Sequence, residues 1–396
     1  MREFTDQGKQ IGVSRSVVIT ANSLWYITNF REGLVRAIES RDLAPVLVAP
    51  ADGTPLRSGQ AVFVPLALER SGTNAIGDLR VALSYLRTLR QHRPNAVFSF
   101  TIKPNIYAAI AGRLLGVPVF PTVTGLGTVF IRGGGLMALV ERMYRFAFKR
   151  CPVVFFENRH DLDTFVERWI VDISQARLVP GCGVDLDRFA EVPLPSGPPK
   201  FLLIARLLGD KGVREFVEAA RILRGNVARS QFQLLGPLDP ANRTSIGEAE
   251  VREWADEGLI EYFGETDDVR PFIAAATAVV LPSYREGLPR SLLEGAAMGR
   301  PLIATDVPGC RQVVDDGVNG FFCEARNPAA LAQAMNRLIE LPEERRAIMG
   351  QAGRAKVERE FDEARVIEAY LEALDRYAPS ADMRPTARPA QAKVTN

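Results

Sequence analysis

Short apolar segments alternate with longer amphipathic segments along this chain, and the alternation continues through most of its length. The first half contains five continuous apolar runs that read as strands, at 16–21, 45–49, 96–101, 117–123 and 152–158. Five more follow in the second half, at 200–206, 232–236, 260–264, 278–283 and 301–306. The amphipathic segments predict helices, at 74–92, 104–115, 134–150, 212–224, 289–298 and 329–340. Because uninterrupted apolar strands separated by helices are typical of parallel sheets covered on both faces, the pattern predicts an α/β protein with two doubly wound domains.

A segment rich in proline separates the two halves. Residues 191–200, EVPLPSGPPK, contain four prolines and one glycine, which suit neither a helix nor a central strand. We therefore predict a linker here, an amino-terminal domain over 1–190 and a carboxy-terminal domain over 191–360. The apolar stripe of a last helix, 361–378, predicts that it packs back on the first domain. Residues 379–396 have little to bury and are expected to be disordered.

The composition is that of an ordinary globular protein. The 396 residues are 47% hydrophobic and 24% charged, and the formal net charge is +2. This length suits about two domains, and so small a charge gives no reason to expect nucleic acid as a partner. The start lacks the apolar core of a signal peptide, and no apolar run approaches the ~20 residues that span a bilayer. We expect a cytoplasmic protein, or one held at a membrane face without crossing it.

The chain shows no pattern of metal ligands. Its four cysteines have no close pairs and no histidine at ligand spacing, which favours reduced thiols: Cys151, Cys182, Cys310 and Cys323. The two DLD triplets, at 161–163 and 185–187, do not follow a strand as a metal-binding Asp-x-Asp loop would. We predict no metal and no cofactor.

Two carboxylates mark the segment YREGLPRSLLEGAAMGRPL, which follows the apolar run at 278–283. Glu286 lies just before a predicted helix that Pro289 can begin, and Glu294 lies in an otherwise apolar part of that helix. The helix start presents free N–H groups and the positive end of a dipole, which favour an anion such as phosphate. Carboxylates beside a phosphate site make sense if each accepts hydroxyl hydrogens, as the sugars of a sugar nucleotide would supply. Alternatively, Glu294 only pairs with Arg290 or Arg300.

Two cations follow the first strand of the second half, in LLIARLLGDKGVREF. Arg206 and Lys211 lie in the loop after this strand, at the edge where ligands bind in open α/β sheets. Arginine can hold a diphosphate through two N–H groups, and lysine holds it as a point charge. The alternative is a solvated loop in which Arg206 pairs with Asp210.

These residues, Arg-x4-Lys followed by Glu-x7-Glu, resemble the motifs of the family 4 retaining glycosyltransferases of GT-B fold. The resemblance covers most of the chain, is strongest over 176–340, and extends to the segments GVDLDRF (183–189), LLGP (234–237), FGETDDV (263–269) and GRPLIATDVPGCRQVVDDGVNGFF (299–322). Within the family, 99–130 and 155–165 resemble bacterial enzymes that build lipid-linked oligosaccharides, O-antigen or capsule. The resemblance implies a GT-B fold, in which two Rossmann-like domains face each other across a cleft.

The resemblance also implies roles for individual residues in the second domain. Glu286 would contact hydroxyls of the donor sugar, and Glu294 would bind the ribose. Arg206 and Lys211 would neutralise the leaving diphosphate, so no metal would be needed. Further contacts to the nucleotide sugar would come from the loops that contain Gly236, Gly264, Gly287, Leu288 and Arg290.

The first domain is expected to hold the acceptor. Its loops after strands contain the candidate acceptor-binding residues Asn22, Lys103, Thr124, Gly125 and Gly127, with Asn29 and Arg31 as further polar candidates. Lys103 could meet an acceptor phosphate or could simply be solvated. Many family members carry a histidine where this chain has Thr124, so a catalytic imidazole is not expected. The two histidines, His92 and His160, are interpreted as structural.

The segment LMALVERMYRFAFKR, residues 136–150, has two interpretations. Four cations alternate with Met, Phe and Tyr, which is typical of a helix that lies on an anionic membrane surface. An ordinary domain helix that buries one face would show a similar pattern. The resemblance implies an undecaprenyl diphosphate-linked saccharide as acceptor, and therefore a protein peripheral to the cytoplasmic face of the inner membrane.

The predicted reaction is the transfer of a hexose or N-acetylhexosamine from a UDP-sugar to that acceptor, with retention. No carboxylate is evidently placed to attack the anomeric carbon, which favours front-face retention. Two alternatives stay open at this point. One is a hydrolysing sugar-nucleotide epimerase of the same architecture, and the other is a non-catalytic glycan-binding relative.

Overall fold

The computed structural model describes residues 15–56, 59–68, 75–125, 134–224, 230–240, 242 and 244–378. The chain divides into two compact units. The first comprises Met1–Val179 and Ile367–Asn396, and the second comprises Pro180–Val366. The second unit therefore begins before the predicted boundary at residue 190, because residues 180–190 pack within it. The predicted disordered tail, 379–396, lies outside the described residues.

The first unit contains a sheet of seven parallel strands among its described residues. Its strands are β1 (Ser16–Thr20), β2 (Ala44–Ala49), β3 (Val62–Pro65), β4 (Ala96–Phe100), β5 (Val119–Val123), β6 (Val154–Phe156) and β7 (Ala176–Leu178). The strand order is β3-β2-β1-β4-β5-β6-β7, and the chain therefore reverses its winding direction between β1 and β4. β1, β4 and β5 are buried along their whole length, which explains their uninterrupted apolar sequence.

Six helices precede the second unit in the described part of the chain. They are α1 (Leu24–Phe30), α2 (Glu32–Glu39), α3 (Ala75–His92), α4 (Ile102–Leu115), α5 (Gly134–Phe148) and α6 (Arg159–Glu167). Helices α3, α4, α5 and α6 cover one face of the sheet, where Val18 and Val97 pack with Tyr85 and Phe148. α1 begins at an N-cap serine, Ser23, whose hydroxyl accepts a hydrogen bond from the backbone of Tyr26.

The second unit contains a parallel sheet of six strands within its described ranges. Its strands are β8 (Lys200–Ile204), β9 (Gln231–Leu235), β10 (Glu261–Tyr262), β11 (Ala278–Leu281), β12 (Leu302–Thr305) and β13 (Gly320–Cys323). The order is β10-β9-β8-β11-β12-β13. The winding direction therefore reverses between β8 and β11, and the loops that follow these two strands lie side by side at the usual ligand-binding edge.

Seven α-helices lie around this second sheet in the part of the unit that the structure describes. They are α7 (Val213–Arg224), α8 (Glu248–Asp256), α9 (Arg270–Ala275), α10 (Arg290–Ala297), α11 (Pro308–Val313), α12 (Pro328–Glu340) and α13 (Glu343–Glu360). α10 begins one residue later than predicted, because Pro289 has extended backbone angles and is the N-cap rather than part of the first turn. No helix in the described ranges is long and apolar enough to cross a bilayer.

The last helix, α14 (Glu363–Tyr377), returns to the first sheet. Its Tyr370 ring lies 4.7 Å from the ring of Phe155 and 5.5 Å from that of Phe98. The Tyr370 hydroxyl forms a 3.2 Å hydrogen bond with Thr122 at the end of β5. The packing of α14 thereby covers the face of the first sheet opposite α3 and α4.

The segment 191–199 has neither helix nor strand, and a buried arginine holds it against the second unit. The Arg300 guanidinium donates to the backbone carbonyls of Val192 and Pro193, and also to those of Ala274 and Ala276. Burial lowers the pKa of Arg300 to about 10. Arg300 is therefore a structural residue, and Glu294 is not among its partners in the structure.

Candidate active site

The loops that follow β8 and β11 are joined by side-chain and backbone contacts. Lys211 Nζ lies 2.6 Å from Glu286 Oε1, and this ion pair, which is mostly shielded from solvent, joins the two loops. The backbone N–H of Tyr284 donates to the carbonyl of Asp210 at 2.9 Å, and the Ser283 hydroxyl donates to the same carbonyl at 3.2 Å. The structure thus brings together two residues that lie 75 positions apart in the sequence.

A glycine allows this close approach of the two loops. Gly212, directly after Lys211, has φ +72°, and a Cβ atom there would lie 2.1 Å from the carbonyl oxygen of Pro282. Only a residue without a side chain fits both the backbone angle and the space. Gly212 therefore fixes the position of Lys211 relative to the Glu286 loop.

Tyr284 connects the same two segments from the outer side. Its hydroxyl donates to Glu215 Oε1 in the first turn of α7, and the guanidinium of Arg326 lies 4.6 Å from its ring centre. Burial and the hydrogen bond to Glu215 raise the pKa of Tyr284 to about 12, which keeps the phenol neutral and able to donate. No sequence pattern indicates this role of Tyr284, since a tyrosine that follows a strand is not distinctive.

Arg206 lies in the same group of loops and pairs with Asp239 rather than with Asp210. Its Nη1 lies 2.9 Å from Asp239 Oδ2, in the loop after β9. The predicted alternative partner, Asp210, instead accepts a hydrogen bond from the hydroxyl of Thr244. The Arg206 side chain is 56% exposed, so its guanidinium is accessible to an incoming anion.

The two glycine loops on the other side of β8 are also joined. The backbone N–H of Gly236 donates to the carbonyl of Gly264 at 2.8 Å, and the Tyr262 hydroxyl donates to the carbonyl of Gly236 at 3.0 Å. The carboxyl ends of β8, β9 and β10 therefore form one continuous edge that contains Arg206, Gly236 and Gly264.

Glu294 forms an ion pair with Arg290, as one of the two interpretations of this residue predicted. Arg290 Nε lies 2.6 Å from Glu294 Oε1, one helical turn away, and Arg290 Nη1 lies 3.9 Å from the sulfur of Cys182. Burial alone would lower the pKa of Arg290, but the adjacent Glu294 carboxylate raises it on balance, so the guanidinium stays charged. This pair occupies one of the two carboxylate oxygens of Glu294, Oε1.

The residues between the two glutamates form an open turn before α10. Gly287 is exposed and Leu288 is partly buried, and the side-chain amide of Gln312 donates to the carbonyl of Gly287 at 3.4 Å. No side chain caps the start of α10, so its first N–H groups are available to a bound anion.

The first unit has its own group of predicted residues after its strands. Asn22 follows β1, while Thr124 and Gly125 follow β5, and all three are partly buried. Lys103 in the first turn of α4 pairs with Asp78 at 2.9 Å, so it is not the solvated lysine of the alternative interpretation. Gly127 lies outside the described residues.

Two further polar candidates of the first unit have structural partners. The Asn29 amide donates to the carbonyl of Trp25, and Arg31 is buried with its Nη2 2.5 Å from Glu157 Oε1. The Arg31 guanidinium also lies 4.2 Å from the ring centre of Phe100. Glu157 follows β6 and was not recognised from the sequence, where it carries no motif of its own.

The cysteines and histidines of the described residues form no metal site. Within the described ranges, no group of three or more His, Cys, Asp or Glu residues is arranged to hold a metal ion. Cys151, Cys310 and Cys323 are buried, and burial raises the pKa of both Cys310 and Cys323 to about 12. Metal independence stays a prediction.

Comparison with known proteins defines the class. The family model "Glycosyl transferases group 1" matches residues 198–341, and "Glycosyl transferase 4-like domain" matches residues 27–182. The structure of HepE from Anabaena in complex with UDP and glucose superimposes with a TM-score of 0.73 at 16% identity, over 91% of this chain and 99% of HepE. That likeness shows the fold.

Two curated bacterial enzymes resemble the chain over most of its length. N,N'-diacetylbacillosaminyl-diphospho-undecaprenol alpha-1,3-N-acetylgalactosaminyltransferase of Campylobacter jejuni is 24% identical over 370 residues, which cover 88% of this chain and 96% of that enzyme. UDP-Gal:alpha-D-GlcNAc-diphosphoundecaprenol alpha-1,3-galactosyltransferase of Escherichia coli is 25% identical over 298 residues, 72% of this chain and 76% of that enzyme.

The protein is a two-domain α/β enzyme of the GT-B class. It belongs to the family of glycosyltransferases described by the group 1 and 4-like models, whose matches together extend over most of the chain. The predictions of fold class and of a glycosyltransferase are confirmed, and its relatives include enzymes of capsule and lipid-linked saccharide assembly.

Proposed function

We propose that this protein transfers a hexose or N-acetylhexosamine from a UDP-sugar to an undecaprenyl diphosphate-linked saccharide, with retention at the anomeric carbon. The observation that carries the proposal is the 2.6 Å contact between Lys211 and Glu286, with Arg206 in the same loop as Lys211. This edge of the second sheet presents two cations for a diphosphate beside a carboxylate for sugar hydroxyls.

The charges fit the departure of a nucleoside diphosphate. When the bond from the anomeric carbon to the phosphate oxygen breaks, negative charge develops on the diphosphate and positive charge on the sugar. Lys211, Arg206 and the free N–H groups at the start of α10 stabilise the former, and such fixed charge is often the largest catalytic contribution. Arg206 leaves Asp239 to do so, which costs little because an exposed ion pair contributes only about 0–1 kcal/mol.

The proton balance of the reaction requires no further carboxylate. The acceptor hydroxyl forms the new bond on the face from which the diphosphate leaves, and its proton passes to the departing phosphate oxygen. Glu286 accepts hydrogen bonds from donor sugar hydroxyls, and Glu294 accepts them from the ribose. Because two side-chain cations neutralise the diphosphate, we propose that the reaction needs no metal ion and no cofactor.

We assign the acceptor to the first unit. Lys103, at the amino-terminal end of the 14-residue helix α4, would exchange its partner Asp78 for an acceptor phosphate, which the N–H groups of the helix start would also bind. Asn22 follows β1, Thr124 and Gly125 follow β5 on the other side of β4, and these residues offer hydrogen bonds to sugar hydroxyls. The names of the Campylobacter and Escherichia relatives, which both specify an undecaprenol-linked diphosphate saccharide, support this acceptor class.

A panel of donors and acceptors tests the proposed function. UDP- and GDP-sugars are incubated with the protein, with and without undecaprenyl diphosphate-linked N-acetylhexosamine, in buffer containing EDTA. We expect acceptor-dependent release of UDP and an α-linked disaccharide product from a UDP-α-sugar. Release of free epimerised sugar without acceptor would instead indicate the epimerase, and tight UDP binding without turnover across the panel would indicate a binding protein.

We further propose that the outer side of α5 attaches the protein to the cytoplasmic face of the inner membrane. Leu139 and Phe146, two helical turns apart, are 53% and 55% exposed, and Trp169 is 83% exposed in the turn after α6. The carbonyl of Trp169 accepts a 2.9 Å hydrogen bond from Arg145, which fixes this turn beside α5. We call these residues, together with the exposed cations Arg142, Arg145, Lys149 and Arg150, the α5 surface.

The charge of the α5 surface matches an anionic bilayer. Glu141, the one acid of helix α5, is partly buried and pairs with Arg168 at 2.6 Å, so it does not oppose the four cations. Large apolar side chains interleaved with exposed Arg and Lys are typical of a helix that lies in a membrane interface. One face of α5, which includes Tyr144 and Phe148, packs on the sheet as in an ordinary domain helix, and the membrane interpretation of 136–150 applies to the exposed face.

The double substitution Phe146→Ser and Trp169→Ser is expected to weaken binding to phosphatidylglycerol-rich vesicles at least about tenfold, because one large apolar side chain contributes about 1.5–3 kcal/mol when buried. Cosedimentation measures this. Ile348→Ser, which removes an apolar side chain of similar exposure from α13 of the second unit, should bind like the wild type. Unchanged binding of the double variant would show that the α5 surface does not contact the membrane.

A further inference from the structure

Glu294 is a charged side chain in the middle of an otherwise apolar helix. The residue is only 8% exposed, and its neighbours Leu292, Leu293 and Ala296 are fully buried. One carboxylate oxygen, Oε1, lies 2.6 Å from Arg290 Nε. An acid at such a position costs folding free energy unless it is paired, so its presence and its exact partner need a reason.

A tight turn at the start of the second unit holds Arg290 from the other side. Cys182 contributes its sulfur, 3.9 Å from Arg290 Nη1. Cys182 lies between two glycines of positive φ that are pressed against neighbouring segments. A Cβ at Gly181 would lie 2.1 Å from Leu288 Cδ2, and one at Gly183 would lie 2.5 Å from the Cα of Glu363.

This arrangement differs from the surface ion pairs of the same helical spacing. Arg252 and Glu248 on α8 also lie one turn apart, at 3.0 Å, but both side chains are about 70% exposed. In the Arg290–Glu294 pair the exposed fractions are 21% and 10%. Packing around the buried pair, including the turn 181–183, restricts both side chains, whereas solvent leaves the α8 pair mobile.

We infer that Arg290 is a positioning residue for nucleotide recognition: it holds Glu294 Oε1, so that Oε2 is the oxygen presented to the ribose hydroxyls. The inference rests on the proposed function, in which Glu294 accepts from the ribose. Arg290 has a second effect in the same place. Its charge neutralises Glu294, which would otherwise repel the diphosphate that binds at the start of the same helix. The side chain thus acts through Glu294 and not on the phosphate directly.

Ribose recognition can be measured separately from overall affinity. Calorimetry gives the Kd for UDP, 2′-deoxyUDP and 3′-deoxyUDP, first for the wild type. The wild type should bind UDP at least about tenfold more tightly than one of the deoxynucleotides, the size typical of a lost hydrogen bond to a charged group. Without any UDP binding by the wild type, the proposed donor class itself is wrong, whatever the role of Arg290.

Arg290→Gln is expected to raise the Kd for UDP about fivefold or more and to reduce the UDP-to-deoxyUDP preference to about twofold or less, because Oε1 and Oε2 are then no longer distinguished. Arg290→Lys, which keeps the charge but not the planar two-sided contact, should recover part of the preference. Arg252→Gln, the control with the same helical spacing, should leave both quantities unchanged.

A purely structural role gives a different result. In that case Arg290→Gln weakens UDP and both deoxynucleotides by the same factor, the preference of the wild type persists, and the inference is overturned. If Arg290→Gln does not fold, as thermal unfolding would reveal, Arg290→Lys decides. A preference lower than that of the wild type supports the positioning role, and an unchanged preference contradicts it.

Discussion

Replacing Lys211 with alanine is expected to lower turnover at least about 100-fold, which corresponds to about 2.7 kcal/mol of lost transition-state stabilisation. Lys211 provides the less exposed of the two cations, at 23% side-chain exposure against 56% for Arg206, and its charge is therefore less screened by water. Initial rates at saturating donor and acceptor measure the effect. The Michaelis constant for the donor should rise less than turnover falls, because charge on the diphosphate grows as the bond breaks.

The control for this substitution lies on β8, the strand that precedes the Lys211 loop. Lys200 begins β8 at the opposite edge of the sheet, and its backbone contact with the hydroxyl of Thr277 survives a change of side chain. Lys200→Ala should retain wild-type turnover. If Lys211→Ala also retains it while staying folded, Lys211 has no part in the reaction and the proposed charge stabilisation is wrong.

Replacing Gly212 with alanine is the second substitution with a large expected effect. The new Cβ would lie 2.1 Å from the carbonyl oxygen of Pro282, so either the Lys211 loop or the β11 loop has to shift. A displacement of about 1 Å at a positioned group can lower the rate about 100-fold, and we expect a loss of kcat/KM of that order. Steady-state kinetics measures it, with the free energy of unfolding followed by urea titration.

Gly317→Ala separates the effect of the backbone angle from that of the clash. Gly317 has φ +74°, close to that of Gly212, but a Cβ there would meet nothing within 4 Å. This substitution should lower the free energy of unfolding by about 1 kcal/mol and leave kcat/KM unchanged. Equal losses of activity in the two variants would mean that Gly212 serves only the folding of its turn.

The strands and helices that the sequence predicted well are those with long apolar patterns. The central strands β1, β4, β8 and β11 are buried on both faces, so burial appears directly in their residue types. Strands β3, β7 and β13 were not predicted. β3 and β7 are short edge strands with exposed positions, and β13, with only four residues, begins at a glycine, so none carries a clear period.

The charged residues of the candidate site and the local pair of Arg290 with Glu294 could be expected from the sequence, but the pairs between different loops could not. Arg206, Lys211, Glu286 and Glu294 stand at loop and helix positions that the sequence itself marks. Which acid faces which cation depends on strand order, since β9 lies beside β8 and brings Asp239 to Arg206 in place of Asp210.

The sequence by itself determined the alternation of strands and helices, the resemblance to family 4 glycosyltransferases and the loops that carry charge. Only the tertiary structure decided that Lys211 meets Glu286, that Cys182 lies beside Arg290, and that Gly212 lies against Pro282. The physical reason is the distance along the chain over which each kind of information acts. Hydrophobic periodicity reports how each residue meets its local environment, whereas these contacts join distant segments whose separation is set by the register and order of a parallel sheet.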